Sequence, residues 1–275
     1  MLVWSEILLR LAAGFIWLGL ISNIFQIGNK SRQLRRMAVI SSRGGWLMLS
    51  ASLLTRSIAL GHFTFTTLFD TMLFLSWVVL TIYIYFEWKQ GWPALGVAVL
   101  AGLALFSVVI LVLPRDVKPL LPILQSRILT LHIVLNFAAY GAFLLSFLLA
   151  LMYLGQELQL KRKKMTFLYY MLPGLETLED LTDLLVRIGF LLLTLGMALG
   201  SIYAKSAWDS FWSWNPKETW SLLTWFVYGF FIYLRHVRAW RGRRSVVLVL
   251  IGFLAVLINY FGVSLSLATE HSFLQ

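Results

Sequence analysis

Four tryptophans, Trp208, Trp212, Trp214 and Trp220, fall within the 13 residues "WDSFWSWNPKETW", interleaved with Asp209, Lys217 and Glu218 and flanked by long apolar runs. Part of this stretch reads as a helix start. Pro216 suits a first helical turn, Asn215 before it suits the N-cap, and Glu218 falls near the positive helix end. An aromatic belt at a membrane interface explains one or two of the indoles. Four of them among polar residues call for a ligand with a broad apolar face.

The four histidines are the other residues that could do chemistry. Neutral imidazole is the commonest protein ligand for a metal, and paired histidines can hold haem iron from both faces. His132 lies inside the apolar run "ILTLHIVLNFAAYGAF", where a polar side chain needs a partner, and Asn136, one turn on, is available. His271 lies near the C-terminus, where disorder is the common alternative to function. His62 and His236 read as interfacial or solvated residues. A flat apolar ligand with acidic edges fits the indoles, with Lys217 or Arg127 meeting the edges, and a porphyrin is such a ligand. No Cys is present, so thiolate chemistry is excluded, as is a disulfide within the chain. Neither a glycine-rich phosphate loop nor a His-x-x-x-His metal spacing occurs.

The elements that must position these residues are membrane helices. Of 275 residues, 60% are hydrophobic and 13% charged, a balance that points to a polytopic membrane protein, all-α and organised as a single domain over 1–275. Eight segments approach the roughly 20 apolar residues that a span needs: 3–27, 37–60, 69–86, 93–113, 128–155, 183–204, 219–234 and 246–268. The opening "MLVWSEILL" lacks the basic region of a signal peptide, and no small-residue cleavage site follows. The run "GLETLEDLTDLL" is expected to form a short amphipathic surface helix or a plain connector.

Charge predicts the orientation. Sixteen of the 23 Lys and Arg residues fall on alternate connections, between segments 1 and 2, 3 and 4, 5 and 6, and 7 and 8. The positive-inside rule makes these connections cytoplasmic, or stromal in a plastid, and puts both termini and the Trp-rich loop at 204–220 on the external side. The net charge of +11 is thus a topology signal in contact with a lipid bilayer, and basic residues scattered over short loops do not make a nucleic-acid surface.

At these residues a resemblance becomes specific. "WDSFWSWNPKETWSLLTWFVYGFFIYLR" resembles the tryptophan-rich signature of the cytochrome c assembly family, W-G-x-x-W-x-W-D-x-K-E-[ST]-W, and is most similar to its CcsA (ResC-type) branch. "GHFTFTTLFDTMLFLSW", "LLPILQSRILTLHIVLNFAAYGAFLLSFLLALMYL" and "GVSLSLATEHSF" resemble other ordered family segments, so the resemblance covers roughly 56–275. It implies haem b as cofactor and a place in cytochrome c biogenesis. Haem would be moved to the external face and, with a ResB/CcsB-type membrane partner, attached to the Cys-x-x-Cys-His of an apocytochrome c. His132 and His271 would be the axial ligands of the haem iron. Trp208, Trp212, Trp214, Asn215, Lys217, Glu218 and Trp220 would cradle the macrocycle. No residue is assigned a catalytic role, and the chain would act as a subunit of a haem-lyase complex. The membrane would be a bacterial inner (plasma) membrane or a thylakoid.

Four positions depart from the family text: Asp209 replaces the usual Gly, Asn215 the usual Asp, Asp70 the usual Glu, and Arg235 an intramembrane His. These departures leave two other readings open. One is a HemX-like haem-binding regulator of haem synthesis. The other is a membrane transporter of another solute, with Arg56, Asp70 and Arg187 as its intramembrane charges.

Overall fold

A computed structural model describes residues 1–29, 31–63, 65, 67–115, 125–163 and 167–262. His271 therefore lies outside the described residues. Among those described, the chain is all helix, without strands, and it forms a multi-span membrane protein. The helices are α1 (Leu2–Gly28), α2 (Arg32–Leu60), α3 (Leu68–Lys89), α4 (Pro93–Val112), α5 (Arg127–Lys161), the short α6 (Phe167–Met171), α7 (Leu175–Trp208), α8 (Pro216–His236) and α9 (Arg243–Leu257), which runs into a π turn at Ile258–Gly262.

Among the described residues, seven helices are long and apolar enough to span: α1 to α5, α7, and α9 with its π turn. The seventh of the eight expected segments, 219–234, lies in α8 and does not qualify; α8 has 21 residues, roughly 31 Å at the helical rise. Its apolar run, 219–234, is short and bounded by Lys217 and Glu218 at one end and by Arg235 and His236 at the other. It packs between α7 and α9, which do qualify. One expectation changes: "GLETLEDLTDLL" is not a separate surface helix. From Leu175 it is the first part of α7, which continues unbroken for 34 residues to Trp208.

The chain divides into two units. The first comprises 1–125 and 159–173, and the second 126–158 and 174–275. In the first, α1 packs on α2 and α4, and α3 on α2 and α4. Small residues let the backbones approach, as they do in membrane helix pairs. The Ser5 hydroxyl donates to the Ser52 carbonyl at 3.1 Å and the Ser52 hydroxyl to the Ser5 carbonyl at 2.8 Å. Thr67 caps α3, its hydroxyl oxygen accepting from the Asp70 N–H and its hydroxyl donating to Asp70 Oδ2. Asp70, in turn, holds the buried Arg56 guanidinium at 2.6 Å, with Phe69 beneath it. The carboxylate departing from the family text thus belongs to a buried ion pair that ties α2 to α3.

The second unit carries the Trp-rich loop. Here α5 runs antiparallel to α7, and glycines on α7 receive large side chains from α5. A Cβ on Gly189 would lie 2.6 Å from the Phe143 ring, one on Gly196 2.7 Å from Asn136, and one on Gly200 2.6 Å from the His132 ring. On α8, the Tyr228 ring stacks on Phe143 with centroids 3.7 Å apart. Its other side abuts Gly252 of α9, whose Cβ would meet the ring at 2.7 Å. Trp225 Nε1 donates to Thr194 Oγ1 at 2.9 Å, joining α8 to α7.

Candidate functional site

The contacts of the second unit bring the start of α5, the end of α7, the start of α8 and the end of α9 to one end. His132 is the sixth residue of α5 and faces the last turns of α7. Its Nδ1 lies 2.6 Å from the Gly196 carbonyl oxygen. A carbonyl only accepts, so this nitrogen carries the proton and Nε2 keeps its lone pair. A backbone carbonyl on one ring nitrogen is the usual way a metal-binding imidazole is oriented and its tautomer set. Asn136 Nδ2 donates to the His132 carbonyl at 2.9 Å and approaches Nε2 at 3.2 Å, so the polar partner expected one turn along α5 is present. The peptide oxygen of Gly196 is reachable because neither Gly196 nor Gly200 carries a side chain between the two helices.

The loop from α7 to α8 is built by its polar residues. Asp209 closes α7 in the left-handed conformation at φ 57°. The family's usual Gly at this place adopts that conformation without a Cβ penalty. Here Lys205 Nζ holds the Asp209 carboxylate at 2.6 Å and its carbonyl at 3.0 Å. Asn215 is the N-cap of α8, its Oδ1 accepting the Glu218 N–H at 2.9 Å. Its Nδ2 donates to Ser213 Oγ at 3.1 Å. Glu218 reaches back and accepts the Ser213 N–H at 2.7 Å. Asn215 and Glu218 therefore shape the loop, which turns sharply at Trp214, φ 57°.

That scaffold leaves aromatic surface uncovered. Trp208 is 65% exposed, Trp214 69% and Phe211 59%. Trp208 packs edge-on against Tyr203, and Trp212 edge-on against Trp214 with centroids 5.9 Å apart. Among the described residues, Trp212 Nε1 is buried without a partner, and Trp220 is half-buried while Lys217 is exposed. This is open indole surface at the same end of the unit as a cation and an oriented imidazole, whose Nε2 lone pair faces the Asn136 amide. The combination suits a flat, apolar, anionic-edged group that carries a metal, and haem fits that description. Among the described residues no three His, Asp or Glu side chains converge as a separate metal site.

The remaining histidines lie elsewhere. His62 is in the α2–α3 turn of the first unit, 3.4 Å from the Phe63 carbonyl. His236, at the opposite end of α8 from the Trp-rich loop, places Nε2 3.1 Å from Asp183 Oδ1. Next to it, Arg235, only 7% exposed, pairs with Glu179 and, at 3.3 Å, with Asp180. Glu179 also accepts the Gly242 N–H at 2.9 Å. The family's intramembrane His position is thus occupied by an ion-pair hub that joins α7, α8 and the α8–α9 turn.

Sequence reasoning missed Gly196, Gly200, Tyr140, Ser221 and Asn259 at this end of the unit. A faint signal existed in the four-residue spacing of the two glycines and in an Asn inside an apolar run.

Residues 65–271 match the family described as Cytochrome C assembly protein. The chain is 34% identical over 281 residues to "Cytochrome c biogenesis protein CcsA" of Guillardia theta, covering 94% of this chain and 90% of that protein. It is 34% identical over 254 residues to the protein of the same name from Synechococcus sp. (strain CC9902), covering 82% and 83%. A solved structure of "Cytochrome c Heme Lyase CcmF" has the same fold, with a TM-score of 0.71 at 16% identity; it covers 94% of this chain and 46% of that one.

Proposed function

Because this chain belongs to the cytochrome c assembly protein family, as a CcsA-type member, we propose that it serves cytochrome c biogenesis by presenting haem b at the external membrane face. There, with a ResB/CcsB-type membrane partner, it supports covalent attachment of haem to the Cys-x-x-Cys-His of an apocytochrome c. The membrane is a bacterial inner membrane or a thylakoid. The orientation rests on the sixteen basic residues of the alternate connections, which put the Trp-rich loop outside.

The observation that carries this reading is the His132–Gly196 hydrogen bond beside the exposed indoles. His132, through Nε2, and His271 would hold the haem iron. Trp208, Trp212, Trp214 and Trp220 would offer faces to the macrocycle, and Lys217 would meet a propionate. Asn215 and Glu218 hold the loop in shape from behind. When bound, haem supplies the vinyl groups that become thioethers. The protein contributes position: it fixes the plane and its rotation so that a vinyl meets an incoming thiol. With no Cys in the chain, both thiols come from the apocytochrome.

The test is co-expression with a ResB-type partner and an apocytochrome c, scoring haem that survives denaturation. Wild type yields covalent holocytochrome and His132→Ala does not. Equal yield from His132→Ala overturns the ligand assignment, and no yield from the wild type favours the regulator.

A further inference from the structure

One end of the first unit carries a basic cleft that haem presentation does not use. Arg32, Arg35 and Arg36 line it together with Val39 and Ile40, around a volume of about 320 Å³. These positions follow the i, i+3, i+4, i+7, i+8 spacing of one helix face. The cleft therefore runs along α2 from guanidinium groups to aliphatic side chains. From Arg32 to Ile40 the helix rises about 12 Å. The apolar end is open, with Ile40 65% exposed and Met37, one turn before it, 52% exposed.

Arg35 is placed by a second element. Its Nη2 lies 2.9 Å from where a Cβ on Gly91 would stand, so the guanidinium packs against the α3–α4 turn at a glycine with φ 64°. The charge of the cleft is uncompensated. Arg56, Arg187 and Arg235 each meet a carboxylate. Among the described residues, Arg32, Arg35 and Arg36 meet none. Glu87 is close enough to feel Arg35, but its Oε1 accepts from Ser42 at 3.3 Å and from Tyr83 at 3.0 Å.

Unpaired guanidinium groups at the point where a polar turn gives way to a span suit an oxyanion whose other half is hydrocarbon. Arginine meets phosphate through paired N–H donors and is more weakly hydrated than lysine. Basic pockets at the ends of membrane helices take anionic headgroups. We infer that this cleft binds one anionic glycerophospholipid of the surrounding leaflet. The phosphodiester sits among Arg32, Arg35 and Arg36, and the first part of an acyl chain lies along Val39 and Ile40. Free phosphate would satisfy the arginines and leave the aliphatic end of the cleft unused. The inference is independent of the haem reading, since none of these residues belongs to the candidate haem site.

The experiment is native mass spectrometry of the full chain released from detergent, titrated with dioleoylphosphatidylglycerol or dioleoylphosphatidylcholine. The wild type should hold one phosphatidylglycerol clearly more tightly than phosphatidylcholine. The triple variant Arg32→Gln, Arg35→Gln, Arg36→Gln should bind it roughly 10- to 100-fold more weakly, and Arg36→Gln alone roughly fivefold more weakly. The single variant reads the loss should the triple variant not accumulate. A second triple variant, Arg238→Gln, Arg241→Gln, Arg243→Gln, removes the same charge from exposed positions around the α8–α9 turn and should bind like wild type. Unchanged phosphatidylglycerol binding in the cleft variants overturns the inference, and so does an equal loss in the α8–α9 variant, which would make the effect one of net charge. Equal affinity for phosphatidylcholine also overturns it. So does displacement of the lipid by inorganic phosphate or by haem at equimolar concentration, since the occupant would then not be a lipid.

Discussion

The Nδ1 of His132 and the carbonyl oxygen of Gly196 stand 2.6 Å apart across the α5–α7 interface. They meet because a glycine at 200 leaves room for the imidazole, whose atoms come within 2.6 Å of where a Cβ would lie. Gly200→Ala should therefore turn the ring off the Gly196 carbonyl while costing little stability, because the atoms that must move are the far end of a side chain. Haem content and spin state should change with an unaltered melting temperature. An unchanged spectrum would show that the ring orientation is not set by this helix contact.

Asn215 separates the cap from its charge. Asp and Asn cap helices about equally, and losing the cap costs about 1 kcal/mol. Asn215→Asp should retain haem and Asn215→Leu should lose it, because α8 would start later and Glu218 would release Ser213. Haem per purified protein, at matched expression, reads both outcomes.

Asp209 holds a left-handed helix end that a non-glycine residue occupies at a cost of roughly 1 kcal/mol. Its exposed pair with Lys205 offsets part of that cost. Asp209→Gly, the family's usual residue, should be neutral or slightly stabilising, with haem binding retained. Thermal melts in detergent check the direction.

Arg235→His restores the family text and should still harm the protein. It removes the buried partner of Glu179 and Asp180, a class of change that costs about 3–5 kcal/mol. The melting temperature should fall sharply with no second haem gained. A stable variant with additional haem would show that the ion-pair hub is dispensable and that a relay site persists beneath it.

The sequence made the spans legible because lipid demands long apolar runs, and the α8 cap legible because Asn-Pro is a local signal. The first half of α7 was hidden because its acidic face reads as surface, whereas Glu179, Asp180 and Asp183 turn toward Arg235 and His236. The carbonyl partner of His132 was hidden for a different reason. Gly196 is 64 residues away, and only the α5–α7 register brings it near. Asn259 was invisible because a π turn changes which face a residue presents, and helical periodicity cannot anticipate it.

The central claim is that His132 binds haem iron in this protein. The most direct measurement is the absorption spectrum of the purified full chain beside that of His132→Gly, with and without imidazole. The account predicts a low-spin Soret band and sharp reduced bands in the wild type, loss of the low-spin form in His132→Gly, and its recovery when imidazole is added. A wild-type protein without a Soret band, or a His132→Gly spectrum identical to wild type, would contradict it.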